Sequence, residues 1–456
     1  MTENYRRAKL RGKSFRGCNL SGVDFTGADI RGADFSGANL TGADFSQTNT
    51  GLQRRWAILL MILTLILASL SGLLAAVGGS LVGVLLLGNN RENLYVGIVC
   101  VAVITVFFLI TVRRGIAAAF GFLAFFVTCA GIAAVGWAGV VAVTWAGEAT
   151  TTGAMEIAAN VAVIVSGVVA VLGIIAGTVA AAGTVTLAGA IAGMFAVTLT
   201  VAVTALICGA VSVAALQVNI LTGGVAIAIA VCVVLLSAYI GCLALFEDTK
   251  QSIVRKAAIS LATRYGTNFQ NSNLTDAKFS KSSIKNANFT QANLTRTCWF
   301  QVKNIHLAQI SNSYLNNPTI RQIVTTKNLQ NRNFDYADLQ GINLQGAILK
   351  DASFVGAKLN GSNLREADLS RATLVKTEVA QTDFRGALLT GAYIQDWQIT
   401  PETRLEDVKC EYIFMRIPSK ENPNPCRLPA NWGETFKPGE FSKLFRPVTK
   451  VIINNS

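Results

Sequence analysis

The sequence predicts a mixed fold, a solenoid built from five-residue units and interrupted by an α-helical membrane bundle, and three observations carry that prediction. From Leu329 to Ile394 a large apolar residue returns at every fifth position: Leu329, Phe334, Leu339, Leu344, Leu349, Phe354, Leu359, Leu364, Leu369, Leu374, Val379, Phe384, Leu389 and Ile394. The same period runs near the start through Leu10, Phe15, Leu20, Phe25, Ile30, Phe35, Leu40 and Phe45. Between the two lies a block from Ala57 to Phe246 holding only 3 Lys/Arg and 3 Asp/Glu. A period of five is neither helical nor strand-like. A strict short repeat builds a solenoid, whose units gain a core only by stacking on one another.

Two residues before most centres sits something small, such as Ala28, Ala33, Ala347, Ala357, Ser362 and Ala367. The phrases ADLQG, GINLQ, AKLNG, SNLRE and ADLSR resemble the A-(D/N)-L-x-x motif of the pentapeptide-repeat family. That resemblance implies a right-handed square β-helix in which each pentapeptide forms one side of a coil. It places Phe15, Phe25, Phe35, Phe45, Leu339, Leu344, Phe354, Leu364 and Phe384 in the core, with Asp24, Asp29, Asp34, Asp338 and Asp368 serving the turns. It implies little about activity, because members of one fold serve unrelated purposes.

Taken in order, residues 1–50 are N-terminal repeats, about two coils, too few for a core of their own. They are expected to stack on the repeats that restart at Phe269, giving one rod of about seven coils and on the order of 35 Å; the alternative is a cap docked on a neighbouring protomer. This basic start lacks the apolar core of a signal peptide, so the N-terminus is expected on the side of synthesis. Residues 51–246 are the membrane bundle, read as six helices over 57–87, 94–112, 115–146, 154–179, 184–213 and 225–246, with a chargeless turn at Ala180 to Gly183. Charges flank it unevenly: the three regions balance at +4, 0 and +9, which make up the chain's +13. Arg54 and Arg55 before the first helix, Arg113 and Arg114 after the second, and Lys250, Arg255 and Lys256 after the last put both termini in the cytoplasm. Trp56, Tyr95, Trp145 and Tyr239 suit the two membrane interfaces. Three G-x-x-x-G pairs, Gly79 with Gly83, Gly173 with Gly177 and Gly189 with Gly193, predict close helix packing.

Residues 247–266 are read as a connector helix and 267–298 as further repeats. In the irregular insert, 299–328, the pattern fails from Trp299, although Asn317 before Pro318 marks a helix start. Repeats resume over 329–396. The segment 397–456 is similar to the closing run of a cyanobacterial branch of the family, which implies an apolar plug of Trp397, Leu405, Cys410, Tyr412 and Phe414, then an extended, partly mobile tail from Pro418.

The chemistry is sparse. One histidine, His306, and nine cysteines without a C-x-x-C pair argue against a metal centre. There is no P-loop, G-x-S-x-G or G-x-G-x-x-G, so no catalysis, cofactor or small-molecule substrate is expected. No ionisable residue lies near the middle of a predicted span, which disfavours a proton-coupled carrier; Asn160 and several Thr residues are the polar candidates. Some relatives inhibit DNA gyrase by mimicking the negative charge of duplex DNA, and a basic rod contradicts that; nor does any reader motif suggest nucleic acid. The expected role is a membrane-anchored scaffold that meets lipid and either a protein partner or further copies of itself, in a plasma or thylakoid membrane. The alternative is an oligomeric channel with the rod as its support.

Overall fold

The computed structural model describes residues 4–87, 91–128, 151–192, 194–218, 220–245, 252–311, 313–421 and 423–445. It divides into two compact units, one of Met1–Gln53 with Tyr265–Ser456 and one of Arg54–Arg264.

The first unit is the β-helix. At most centres the backbone N–H donates to a carbonyl one coil on, as Phe25 does to Asp44 at 2.8 Å, and the residue before it donates one coil back, as Asp44 does to Val23 at 3.0 Å. Parallel bridges therefore join residues four pentapeptides apart, Asp24 with Asp44 and Asp338 with Lys358. Where that bridged position is Asp or Asn, its side chain staples the turn: Asp24 Oδ1 accepts from the N–H of Thr26 at 2.8 Å, Asp34 from Ser36 at 3.0 Å and Asp368 from Ser370 at 3.0 Å. The residue two beyond each centre must turn left-handed, which Gly341 does at φ 64° and Asp351 at φ 58°.

The helical block interrupts the sequence of this stack but not its ladder. Asp34 bridges Asn268, Asn39 bridges Asn273, Asp44 bridges Lys278 and Asn49 bridges Ser283. The N–H of Phe35 donates to Asn268 O at 2.7 Å and that of Phe45 to Lys278 O at 2.6 Å. The regular strands are only two residues long: β1 (Thr267–Asn268) pairs in parallel with β2 (Ala287–Asn288). Of the predicted core positions, Phe25, Phe35, Phe45, Leu339, Leu344, Phe354, Leu364 and Phe384 are buried, whereas Phe15, in the first coil, is half-buried. Tyr5 belongs to the same column, its ring stacked on Phe25 at 5.3 Å.

Two expectations for this unit are corrected. The pattern does not fail at Trp299, which is fully buried and stacks on Phe279 at 5.0 Å as one more centre. The coil then continues through Lys303 to Gln309, which bridges Asn288 with one extra residue of register. Nor is the tail extended from Pro418. β3 (Ile413–Phe414) pairs antiparallel with β4 (Arg427–Leu428), and Phe441 in α9 (Glu440–Leu444, numbered in sequence with the helices below) is buried. Arg427 organises this fold-back: its guanidinium lies over the rings of Tyr412 at 4.7 Å and Trp432 at 5.5 Å. It donates to the carbonyls of Pro429, Asn431 and Glu434. Within the plug Leu405 is buried, while Trp397, Cys410, Tyr412 and Phe414 are half-buried; Ile413 is the deeply buried member.

The second unit contains α1 (Arg54–Leu87), α2 (Arg91–Arg114), α3 (Ile116–Thr128), α4 (Thr151–Ala192), α5 (Met194–Val218), α6 (Ile220–Leu245) and α7 (Ser252–Thr263). The predicted connector helix thus packs as part of this unit; the stretch α8 (Pro318–Thr325) belongs to the β-helix. Four helices among the described residues, Arg54–Leu87, Asn93–Arg114, Val163–Ala192 and Gly224–Leu245, are long and apolar enough to cross a membrane. The predicted turn at Ala180 to Gly183 is absent: α4 runs straight through it and ends at Ala192. Ala and Gly there leave the helix free to continue, and Ala181 and Ala182 are buried, the latter against Gly241 of α6. The later part of the predicted third span, with Trp145, lies outside the described residues, as does Gly193.

The remaining paired glycines sit at helix contacts. A Cβ on Gly177 would lie 2.9 Å from Ser71 O of α1, one on Gly173 3.5 Å from Leu74 O, and one on Gly79 3.4 Å from Ile229 of α6. Gly83 is buried, and Gly189 faces Leu245. Gly78, outside any predicted pair, makes the closest approach to a neighbouring backbone among the described helix glycines, its Cβ position 2.8 Å from Ala170 O. Arg54, Arg55, Arg113 and Arg114 are exposed at helix ends.

Candidate functional site

The β-helix is not one uniform ladder. Its first stack ends with the coil that holds Cys298 and Lys303, and its second begins at Asn328. Between them the insert acts as a wedge. Asn317 caps α8 by accepting from the N–H of Thr319 at 2.9 Å, with Pro318 at the first helical position. Ile320, Ile323 and Val324 of that helix are buried, and Tyr314 ties the wedge to the coil above it. Its hydroxyl accepts from Trp299 Nε1 at 2.8 Å and donates to Leu294 O at 3.0 Å. Burial pushes the Tyr314 phenol well above its ordinary pKa, which keeps it a neutral donor.

Across the wedge the two stacks are joined at their edge. The N–H of Arg296 donates to Gly341 O at 2.6 Å, Asn343 Nδ2 to Arg296 O at 2.7 Å, and the N–H of Gln301 to Thr325 O at 2.9 Å. One face of the square is left open as a cleft of about 720 Å³. Six cationic side chains line it, Lys278, Arg296, Lys327, Arg365, Arg385 and Arg404, against the three carboxylates of Asp276, Asp383 and Glu402. Two arginines are already matched. Arg296 grips Asp276 through two bonds of 2.7 Å, and Arg385 holds Asp383 at 2.9 and 2.6 Å. Burial raises the Asp383 carboxyl, but the bonds and charge of Arg385, aided by Arg365, outweigh it, and the group sits below the usual carboxylate range.

The other cations are less occupied. Lys327 lies over the Phe300 ring at 4.9 Å. Lys278, Arg365 and Arg404 make no side-chain hydrogen bond or ion pair among the described residues, and the buried Nε of Arg365 has no acceptor. The cleft is not legible along the sequence because its residues come from separate repeats. A signal is nonetheless present: Gln345, Arg365 and Arg385 recur every twenty residues, one coil apart on one face. His306 lies in a short 3-10 turn of the insert, and no group of three or more His, Cys, Asp or Glu among the described residues is placed to hold a metal ion.

Comparison with known proteins bears on the β-helix alone. The family model for pentapeptide repeats matches with 8 copies, over residues 8–47, 265–297 and 352–391. Similar solved structures include HetL, a pentapeptide repeat protein involved in heterocyst differentiation regulation from the cyanobacterium Nostoc sp. strain PCC 7120, at 23% identity and TM-score 0.13, covering 33% of this chain and 62% of that one. A pentapeptide repeat protein from the cyanobacterium Cyanothece 51142 matches at 23% identity and TM-score 0.09, covering 32% of this chain and 57% of that one. QnrB1, a plasmid-mediated fluoroquinolone resistance protein, matches at 18% identity and TM-score 0.13, over 32% of this chain and 66% of that one. The match thus spans less than two thirds of each of these relatives. No curated protein matches. The repeat blocks on either side of the helical unit belong to the pentapeptide-repeat family.

Proposed function

We propose that the protein is a membrane-anchored β-helical scaffold, which displays a stiff hydrogen-bonded rod to a protein partner or to further copies of itself. The observation that carries this reading is the ladder that closes across the helical block. Because Asp34 to Asn49 pair with Asn268 to Ser283, the apolar helices leave and rejoin the β-helix between hydrogen-bonded coils. An anchor inserted in this way is tethered to the rod through both of its ends. The exposed arginine pairs Arg54 with Arg55 and Arg113 with Arg114 support a cytoplasmic position for the chain ends, under the preference of basic residues for that side. The family's use as interaction scaffolds supports the same role for the rod.

The buried hydroxyls favour a scaffold over a channel. Thr64, Thr111, Thr178, Thr200, Thr204 and Ser237 each donate to a helix carbonyl, which satisfies them without a water-filled lumen. The test is native mass spectrometry of the protein gently extracted from its own membrane, alongside ion flux in liposomes. A second protein at fixed ratio, or a homo-oligomer without flux, upholds the scaffold. A closed homo-oligomer that conducts ions overturns it.

A further inference from the structure

We propose that the cleft between the two stacks is a binding site for a compact polyanion that carries two or more phosphate groups. Four observations converge on it. The cleft's 720 Å³ falls within the range of small-molecule pockets. Its six cations exceed its three carboxylates, and the two closest acids, Asp276 and Asp383, are already held by Arg296 and Arg385. That leaves Lys278, Lys327, Arg365 and Arg404 facing one carboxylate, Glu402. Finally, the Arg365 Nε is buried and lacks an acceptor. A buried donor without a partner is costly unless a ligand satisfies it.

The residue types select the ligand. Arginine's planar fork matches the paired oxygens of a phosphate, and lysine adds a point charge. The ladder runs from Asn363 through Asp383 to Arg404, so Arg365 and Arg404 belong to coils two apart, about 10 Å at strand spacing, and a single phosphate would leave one of them unused. The rigid frame adds preorganisation: Asn363, two residues before Arg365, is bridged to Asp383, and Asp383 is bridged in turn to Arg404. The residues of the two stacks that line the cleft bound a compact volume, which favours a compact solute over an extended acidic protein segment.

Two sources could supply this chemistry, a soluble polyphosphate or the phosphorylated headgroup of a lipid. Isothermal titration of the full chain in neutral detergent, at fixed ionic strength, would use inorganic tripolyphosphate in one arm and inositol trisphosphate in the other. Saturable binding of either probe is expected, and the preferred probe identifies the source. Arg365→Gln and Arg404→Gln are each expected to weaken binding tenfold or more. Arg365→Lys should recover part of the loss, and Lys13→Gln, in the first coil, should change nothing. Circular dichroism establishes that each variant is folded before it is titrated. Binding absent in both arms, or equal in the wild type and both glutamine variants, overturns the proposal.

Discussion

The two stacks of the β-helix share one backbone geometry and fill it differently. From Tyr5 to Trp299 aromatic centres alternate with Leu or Ile, so rings occupy two opposite sides of the square. Rings in one column stack, Phe25 on Phe45 at 4.7 Å and Phe45 on Phe279 at 5.0 Å; rings in facing columns meet edge-on, Phe25 with Phe35 at 5.6 Å. From Leu329 to Ile394 most centres are leucine, and Phe334 on Phe354, at 4.9 Å, is the stacked ring pair among the described residues there. Hydroxyls add bonds between coils, as Thr297 also does to Leu274 O in the aromatic stack. Ser362, Thr377, Thr382 and Thr403 occupy small inward positions and donate to carbonyls of the preceding coil at 2.8–2.9 Å.

The difference follows the path of the chain. The leucine stack is covalently continuous, so each coil follows directly from the last. The aromatic stack must close over the whole helical block, a large loop with a corresponding entropic cost. Its two ring columns both cross that seam, Phe35 on Phe269 at 5.1 Å and Phe45 on Phe279. Large rings with specific contacts are placed where sequence proximity gives no help.

The largest expected effect that sharpens this contrast comes from the seam. Phe45→Ala should cost about 3–5 kcal/mol, and Leu359→Ala in the continuous stack roughly 2–5 kcal/mol. The seam variant should lie higher by the ring pairs it loses, each about 0.5–1.5 kcal/mol. Chemical denaturation followed by hydrogen exchange reads both, and for Phe45→Ala exchange should rise first in the N-terminal coils.

A smaller effect tests the hydroxyls. Thr382→Val keeps the shape and removes the bond to Leu359 O, and should cost about 1 kcal/mol. A neutral outcome would mean that leucine packing alone suffices in the second stack.

The smallest concerns charge between the first two coils. Asp29 receives Arg31 and Arg11, and the Arg31 bonds, ahead of opposing burial, hold its carboxyl at about 2. The folded value lies below that of the unfolded chain. The stabilisation is therefore complete above the unfolded carboxylate range, near pH 4, and is lost as pH falls through 2. Screening of the exposed arginines limits it to about 0.5 kcal/mol. Asp29→Asn should lose that amount at pH 7 and converge on the wild type as pH falls below 2, as read by the thermal stability of the N-terminal coils.

The five-residue frame made the β-helix core legible, because each side of the coil buries one large and one small residue regardless of what surrounds it. Asn317 with Pro318 likewise marked α8 from local chemistry alone. What the frame did not mark depends on distant partners. Trp299 read as an error in a phenylalanine column, yet its ring continues the column. The Ala180 to Gly183 stretch has composition suited to either a turn or a helix, and packing against α6 decides it. The tail looked extended because its folding rests on Arg427 meeting Tyr412 and Trp432, a contact that no periodicity reports. The cleft was hidden for a related reason, since its cations meet only once the coils have stacked and the wedge has parted them.

The claim on which the rest depends is that one chain closes its own ladder across the helical block. Asn39 and Asn273 are bridge partners, within the reach of a disulfide. Asn39→Cys with Asn273→Cys, in a Cys18→Ser background, would be oxidised in a dilute preparation mixing two differently tagged forms of the protein. The account predicts an intramolecular bond, seen as a monomer joining both halves after proteolysis between them. A product found only as a dimer carrying both tags would contradict it.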